Sequence, residues 1–295
     1  MLLLCRIRTT KTLYTEKRTN ILADFVPDGV PTHWLTKKGI KQKRTDEIPR
    51  TIVVGNMHHE SGFYAPYHSH ARGQLLFISE GLIQVSAKNE GFWVVPPLRA
   101  VWLPPQIEHD ARVINTVKMC NVYVSPEESK KLSKHCQVVT VTPLFREIIL
   151  EIAKFETLYD EAGQEGRLVS VFLDQLKTTP KVPLHLPYPN SEVLQKVAKD
   201  LIKNPADTRS IERWANDYGL GSRTFARRFS KETGMTFGLW RQQARLLAAL
   251  TRIAQGDAIA HISHDLGYDS QSAFIAMFRK AMGKTPSRYF NDINI

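Results

Sequence analysis

The sequence reads as a multidomain α+β protein, a small β-barrel followed by an all-α domain with two helix-turn-helix units. Short β-prone runs recur between residues 51 and 124. Four prolines then crowd residues 180–189, and the C-terminal third repeats itself at an interval of 48–49 residues. A chain of 295 residues is long enough for about two such domains.

The β-prone runs are Thr51–Val54, Gln74–Ile78, Leu82–Ala87, Gly91–Val95, Ala100–Leu103, Ala111–Ile114 and Lys118–Val124, separated by Gly and Pro. They define a barrel over 46–130, behind an N-terminal extension over 1–45 that is basic and Thr-rich. Leu144, Phe145, Ile148, Ile149, Ile152 and Phe155 then recur at three- and four-residue steps, the apolar stripe of a helix, and a second helical run covers 168–176. This helical segment, 131–178, either packs on the barrel or joins two copies of the chain. Pro180, Pro183, Pro187 and Pro189 can neither continue a helix nor sit inside a sheet, so 179–190 reads as a linker into the helical domain, 191–295.

A formal net charge of +11 asks for a polyanionic partner, nucleic acid first and an anionic membrane surface second. The excess lies at the two ends. Residues 1–50 carry 11 Lys/Arg against 5 Asp/Glu and residues 191–295 carry 16 against 10, whereas 51–190 is balanced at 13 against 14. Cys5, Cys120 and Cys136 form no CxxC pair, which fits a reduced compartment. The apolar run Leu2–Leu4 is too short for a secretory signal, and no stretch approaches a membrane span, so the expectation is a soluble, cytoplasmic protein that meets no membrane.

The repeat carries the chemistry. Ile211 to Ser222, followed by Phe225, Phe229 and Gly234, is matched by Ile259 to Ser270, followed by Phe274, Phe278 and Gly283. In each unit a short helix ends at a glycine, Gly219 or Gly267, suited to the left-handed turn. Ser222 or Ser270 can then cap the next helix. The Phe pairs fix that helix to the core. On another face of the first unit Arg223 and Arg227 lie four residues apart, with Thr224 beside them, where arginine can bind guanine O6 and N7 bidentately. Arg228 and Lys231, further round, are candidate phosphate contacts. The second unit offers Gln271, Ser272 and Ala276 for bases and Arg279, Lys280 and Lys284 for phosphates. Direct readout is therefore expected mainly from the first unit, with the second acting as a clamp. A helix over 237–254, about 27 Å long at 1.5 Å per residue, would hold the two units about one DNA turn apart. Arg241 and Arg245 on it could flank the core or touch the DNA backbone.

Arg-Arg-Phe-Ser-Lys-Glu-Thr-Gly at 227–234, Gly-Tyr-Asp-Ser-Gln-Ser-Ala-Phe at 267–274 and Met-Gly-Lys-Thr-Pro-Ser-Arg-Tyr at 282–289 resemble the AraC/XylS family of bacterial regulators. That resemblance implies a seven-helix DNA-binding domain with recognition helices near 222–232 and 270–281, double-stranded DNA as partner, and RNA polymerase and a second copy of the chain as further candidate partners. Ser263 departs from the family's usual Ala but is still small enough to pack. Upstream, Gly62, His68-Ser-His70, Gln74 and Gly81, with Pro104-Pro-Gln-Ile-Glu-His109, look like the motifs of a cupin-type barrel, with Gln74 in place of the usual Glu. In such a barrel His68, His70 and His109 converge. They would form a site for a divalent metal, for an organic effector lined also by Trp93 and Trp102, or a purely structural pocket. The function implied is a ligand- or metal-controlled transcriptional activator or repressor, not an enzyme. The alternative is a metal-dependent cupin enzyme carrying a helical nucleic-acid-tethering domain. Gln74 and the size of the helical region weigh against it.

Overall fold

A computed structural model describes residues 45–291. The expected basic extension over 1–45, with Cys5, lies outside them but for its last residue. The N-terminal half is built from β1 (Ile52–His59), β2 (Tyr64–His68), β3 (Gly73–Ala87), β4 (Gly91–Val95), β5 (Arg99–Leu103) and β6 (His109–Val124). These are followed by α1 (Pro126–Ser129), β7 (Gln137–Thr140), α2 (Pro143–Ile152), α3 (Gln164–Thr178), β8 (Lys181–Val182) and β9 (His185–Pro187). All pairings are antiparallel, in the order β1-β6-β3-β5-β7-β8, with β2 on β6 and β4 between β3 and β9.

Two pairs of expected strands are each one long strand. The runs at 74–78 and 82–87 join into β3, and those at 111–114 and 118–124 join into β6, because register shifts between Ile78 and Ile83 absorb the irregular residues as bulges rather than turns. Gly81 sits at one of them with φ +82°, where a Cβ would lie 2.3 Å from the Thr116 carbonyl oxygen. The first half of β3 pairs with β5 and the second half with β4, so the sheet folds over itself. Hydrogen bonding nevertheless runs along an open path, and among the described residues the expected barrel is not closed by strand pairing.

Alternation along the strands separates two cores. Leu75, Phe77, Trp102, Val122 and Val139 face the apolar stripes of α2 and α3, supplied by Phe145, Ile149, Ile152, Phe172 and Leu176. These helices therefore pack on the sheet, leaving Leu144 and Val171 exposed. Thr142 caps α2 through the Phe145 N–H, and Pro143 at the first helical position costs no hydrogen bond. Leu76, Ile83, Val85, Trp93, Val101, Leu103 and Val138 belong to the second core, which continues into the helical domain.

The expected linker over 179–190 is corrected by the structure. Pro180 and Pro183 flank β8 and Pro187 ends β9, with Pro189 beyond it, and the residues between Pro180 and Pro187 extend the sheet, β8 on β7 and β9 on the edge of β4. The helical domain docks on this added strand. Trp240 Nε1 donates to the Pro187 carbonyl at 2.8 Å, the Gln243 amide donates to the Pro183 carbonyl, and Asn115 Nδ2 donates to the Ala254 carbonyl at 3.1 Å.

The helical domain contains seven helices among the described residues: α4 (Glu192–Lys203), α5 (Ile211–Asp217), α6 (Ser222–Thr233), α7 (Phe237–Ala254), α8 (Ile259–Asp265), α9 (Gln271–Met282) and α10 (Pro286–Asn291). Gly219 and Gly267 adopt φ +66° and +72°, the left-handed turns expected between α5 and α6 and between α8 and α9. Ser263 is buried, with its hydroxyl donated to the Ala260 carbonyl at 2.8 Å, so the small residue packs. No helix among the described residues is long and apolar enough to cross a membrane.

Candidate functional site: two recognition helices and a histidine cluster

On α6, Phe225 and Phe229 are fully buried, stacked at 6.0 Å and closed off by Phe237 and Trp240. Arg223, Thr224, Arg227 and Lys231 are consequently turned outward and exposed. Arg228, also expected to meet phosphate, is half-buried beside Glu232. Its guanidinium lies 3.9 Å from Glu232, which also accepts the N–H groups of Asn190 and Ser191, each at 2.8 Å, at the entrance to α4.

The repeat is kept in three dimensions with one asymmetry. Ser270 caps α9 by accepting the Ala273 N–H at 3.1 Å, whereas α6 starts from Gly221 with no side-chain cap. The first turn is one residue shorter, so Ser222 falls one position too late to cap, which corrects the expectation for that serine. On α9, Phe274 and Phe278 are buried, and Gln271, Ser272, Ala276, Arg279 and Lys280 are exposed, as is Lys284 beyond the helix. Arg241 and Arg245 each donate to a carbonyl of the loop between α4 and α5. Arg241 donates to the Arg209 carbonyl at 3.0 Å. Arg245 donates to the Pro205 carbonyl at 2.8 Å and lies 5.6 Å from the centre of the Tyr268 ring, joining the two halves of the domain.

In the β domain, His68 at the end of β2, His109 at the start of β6 and His70 in the connection to β3 come together, with ring centroids 4.4, 5.2 and 6.1 Å apart. One ligand nitrogen from each lies within 4.8 Å of the others. Each ring is oriented by the backbone. His68 Nδ1 faces the Pro66 carbonyl and His109 Nδ1 the Ile107 carbonyl, both at 2.8 Å, and His70 Nδ1 faces the Arg72 carbonyl. A carbonyl only accepts, so each Nδ1 carries the proton. In a neutral ring, Nε2 then presents a lone pair.

Sequence reasoning could not see the next contact. Gln74 gives its amide N–H to Asn121 Oδ1 at 2.9 Å, which turns its own Oε1 to within 3.0 Å of His70 Nε2. A cation between them, a second proton on the imidazole, or a joint turn of the Gln74 and Asn121 amides each satisfies this pair. Three convergent imidazoles with the Gln74 oxygen beside them are a donor set that fits a divalent ion. Zinc–nitrogen bonds near 2.0–2.1 Å would draw the donor atoms to about 3–3.5 Å from one another.

Trp93 lies on the His109 face of the sheet, at the position paired with Val85, and stacks on His185 at 4.3 Å. Trp102 does not join the cluster. Strand alternation sends it to the opposite face among α2 and α3, where its indole donates to the Ser133 carbonyl at 2.8 Å. The expectation that it lines an effector pocket with the histidines is corrected accordingly.

Burial, followed by the neighbouring His68 and His70, holds His109 down at about 3, and burial also lowers His68. The unfolded chain takes up a proton near 6.5 while folded His109 stays neutral. Stability therefore falls as pH drops from about 6.5 toward 3 and is unaffected by this group above that window. Urea unfolding at pH 7.5 and 5.0 should show a smaller loss in His109→Gln than in the parent. An equal loss in both would remove His109 as the cause.

A ligand-binding β domain joined to paired helix-turn-helix units defines a DNA-binding transcription regulator. The AraC-like ligand binding domain family matches residues 53–173, and the helix-turn-helix domain family matches residues 214–292. The HTH-type transcriptional regulator NimR of Escherichia coli K12 is 35% identical over 225 residues, 76% of this chain and 82% of that protein. This chain belongs to the AraC family of transcriptional regulators. The regulator RipA of Corynebacterium glutamicum is 33% identical over 133 residues, 45% of this chain and 38% of RipA. Among solved structures, ToxT from Vibrio cholerae aligns with 83% of this chain and all of its own at TM-score 0.36 and 10% identity.

Proposed function

We propose that this regulator works in the cytoplasm, reads bases chiefly with α6 and responds to a divalent metal ion held by His68, His70, His109 and Gln74. Arg223, Thr224 and Arg227 contact base edges, as do Gln271 and Ser272 of α9. Lys231, Arg279, Lys280 and Lys284 hold phosphates, and Arg228 does so only to the extent that Glu232 releases it. The opposed lone pairs of His70 Nε2 and Gln74 Oε1 are the observation that carries the metal reading. Trp93 belongs to the wall of the same site. The metal biases the balance between DNA-competent and incompetent arrangements, with no catalytic step. A second copy docks on the outward side of α2 and α3, where Leu144 and Val171 are 61% and 44% exposed, and RNA polymerase is the partner in activation.

Binding-site selection with the purified full-length protein, with and without Zn(II), tests the whole reading. An enriched motif whose recovery changes with metal is expected. A motif indifferent to metal would end the sensor reading, and no motif at physiological salt would end the rest. On the selected site, Arg227→Ala should lose about 1–3 kcal/mol of discrimination at one or two base pairs, whereas Lys231→Ala should weaken specific and random DNA alike. Parallel losses in both variants would reject the assignment of Arg227 to a base.

A further inference from the structure

We propose that α9 is a base reader in its own right and that what it reads is thymine, through the C5-methyl group. The inference rests on α9 entering the major groove as α6 does. The two helices superimpose in sequence at a constant offset of 49, with N-caps Gly221 and Ser270 and left-handed C-caps Gly234 and Gly283. At that offset Arg223, Ala226, Arg227 and Ser230 on the outward stripe of α6 correspond to Ser272, Ile275, Ala276 and Arg279 on α9.

The α9 stripe has a different chemistry from that of α6. Ser272, Ile275, Ala276 and Arg279, with Lys280 and Thr285, line an open groove of about 590 Å³. Its lining joins the apolar side chains of Ile275 and Ala276 to the cations of Arg279 and Lys280, which matches a stretch of duplex whose phosphates meet Arg279 and Lys280 while a base edge meets Ile275 and Ala276. Neither of these two side chains can form a hydrogen bond. Set against guanine, adenine or cytosine, they strip water from a major-groove N or O atom and return nothing. Thymine alone presents an apolar group there. Burying one methyl is worth about a fourfold gain in affinity. The α6 arginines select guanine, so the two halves of the site should differ in composition, one centred on G·C pairs and the other on T·A pairs.

Deoxyuridine differs from thymidine by that methyl alone. On a site selected by the full-length protein, thymines should be replaced one at a time by deoxyuridine and the affinities measured. The expected result is a loss of about fourfold at one or two thymines in one half-site and no change elsewhere. Ile275→Ala should shrink that loss, and Ala276→Arg, which restores the α6 pattern, should exchange the thymine preference for guanine. Ala276 is exposed and Ile275 is partly buried against the core, so the folding of each variant is checked by helix content and by the remaining guanine preference. A specific site that tolerates deoxyuridine at every position overturns the proposal, as does a deoxyuridine loss left intact in both variants. A selection that enriches no motif overturns it together with the groove-entry reading. The first two outcomes leave that reading standing.

Discussion

Replacing Trp240 by alanine should destabilise the protein by about 3–5 kcal/mol, the range for truncating a large buried aromatic. Its ring is wholly buried against Phe229 at 5.6 Å, and its indole N–H is the bond that fastens α7 to Pro187 of the added strand β9. The substitution opens a cavity in the helical domain and leaves the Pro187 carbonyl without that donor, so the seam with the sheet loosens as well. Leu239, the neighbouring residue, is 55% exposed and provides the control, because Leu239→Ala should change stability by no more than about 0.5 kcal/mol. Urea unfolding followed by circular dichroism reads both. A loss below about 1 kcal/mol for Trp240→Ala would mean that the seam and the core beneath it contribute little.

Removing a ring from the histidine cluster should abolish metal binding. His68→Ala or His109→Ala is expected to weaken Zn(II) by at least about 100-fold, since even the partners that merely orient metal-bound histidines are worth 10–100-fold. Gln74→Glu should instead tighten it, by replacing an amide oxygen with a carboxylate. Calorimetry with Zn(II) and the visible spectrum of the Co(II) form measure affinity and coordination without any DNA readout. Binding should weaken only as pH falls into the range where the imidazoles take up protons, a range that burial sets below the usual one for His68 and at about 3 for His109. Unchanged metal content in His68→Ala and His109→Ala would discard the metal and leave an organic effector as the occupant of the β domain.

Much of the DNA-binding half is legible in sequence because its determinants are local. Phe225 with Phe229 and Phe274 with Phe278, each four apart and each closed by a glycine, specify which side of the helix is buried and hence which side is free. The expected span of α7, 237–254, is the one observed. Ser222 shows how narrow this legibility is, since one residue of turn length separates a capping serine from one that cannot cap. Arg241 and Arg245 were undecided for a related reason. Their partners, the carbonyls of Arg209 and Pro205, lie on a loop that no helical spacing connects to α7.

The β domain was less legible because its strands pair across long separations. Nothing near Ser79–Gly81 distinguishes a bulge from a turn until β6 lies alongside. The proline-rich segment reads as a tether because prolines oppose regular structure, yet Pro180, Pro183 and Pro187 sit at the ends of β8 and β9 and leave the residues between them free to pair. His68, His70 and His109 could be named from the sequence. The acceptor pair of His70 and Gln74 could not, because it depends on Asn121 reaching across the sheet to orient the amide.

The sequence by itself therefore determined the class of protein, the paired helix-turn-helix units and the identity of the outward arginines, all of which follow from residue type at helical spacing. Tertiary structure alone decided that Trp102 faces away from the histidines, that the helical domain is fastened to β9, and that Gln74 turns an oxygen toward His70. Each of these depends on which face of a strand meets which distant segment. Long-range pairing fixes that choice, and local spacing does not encode it.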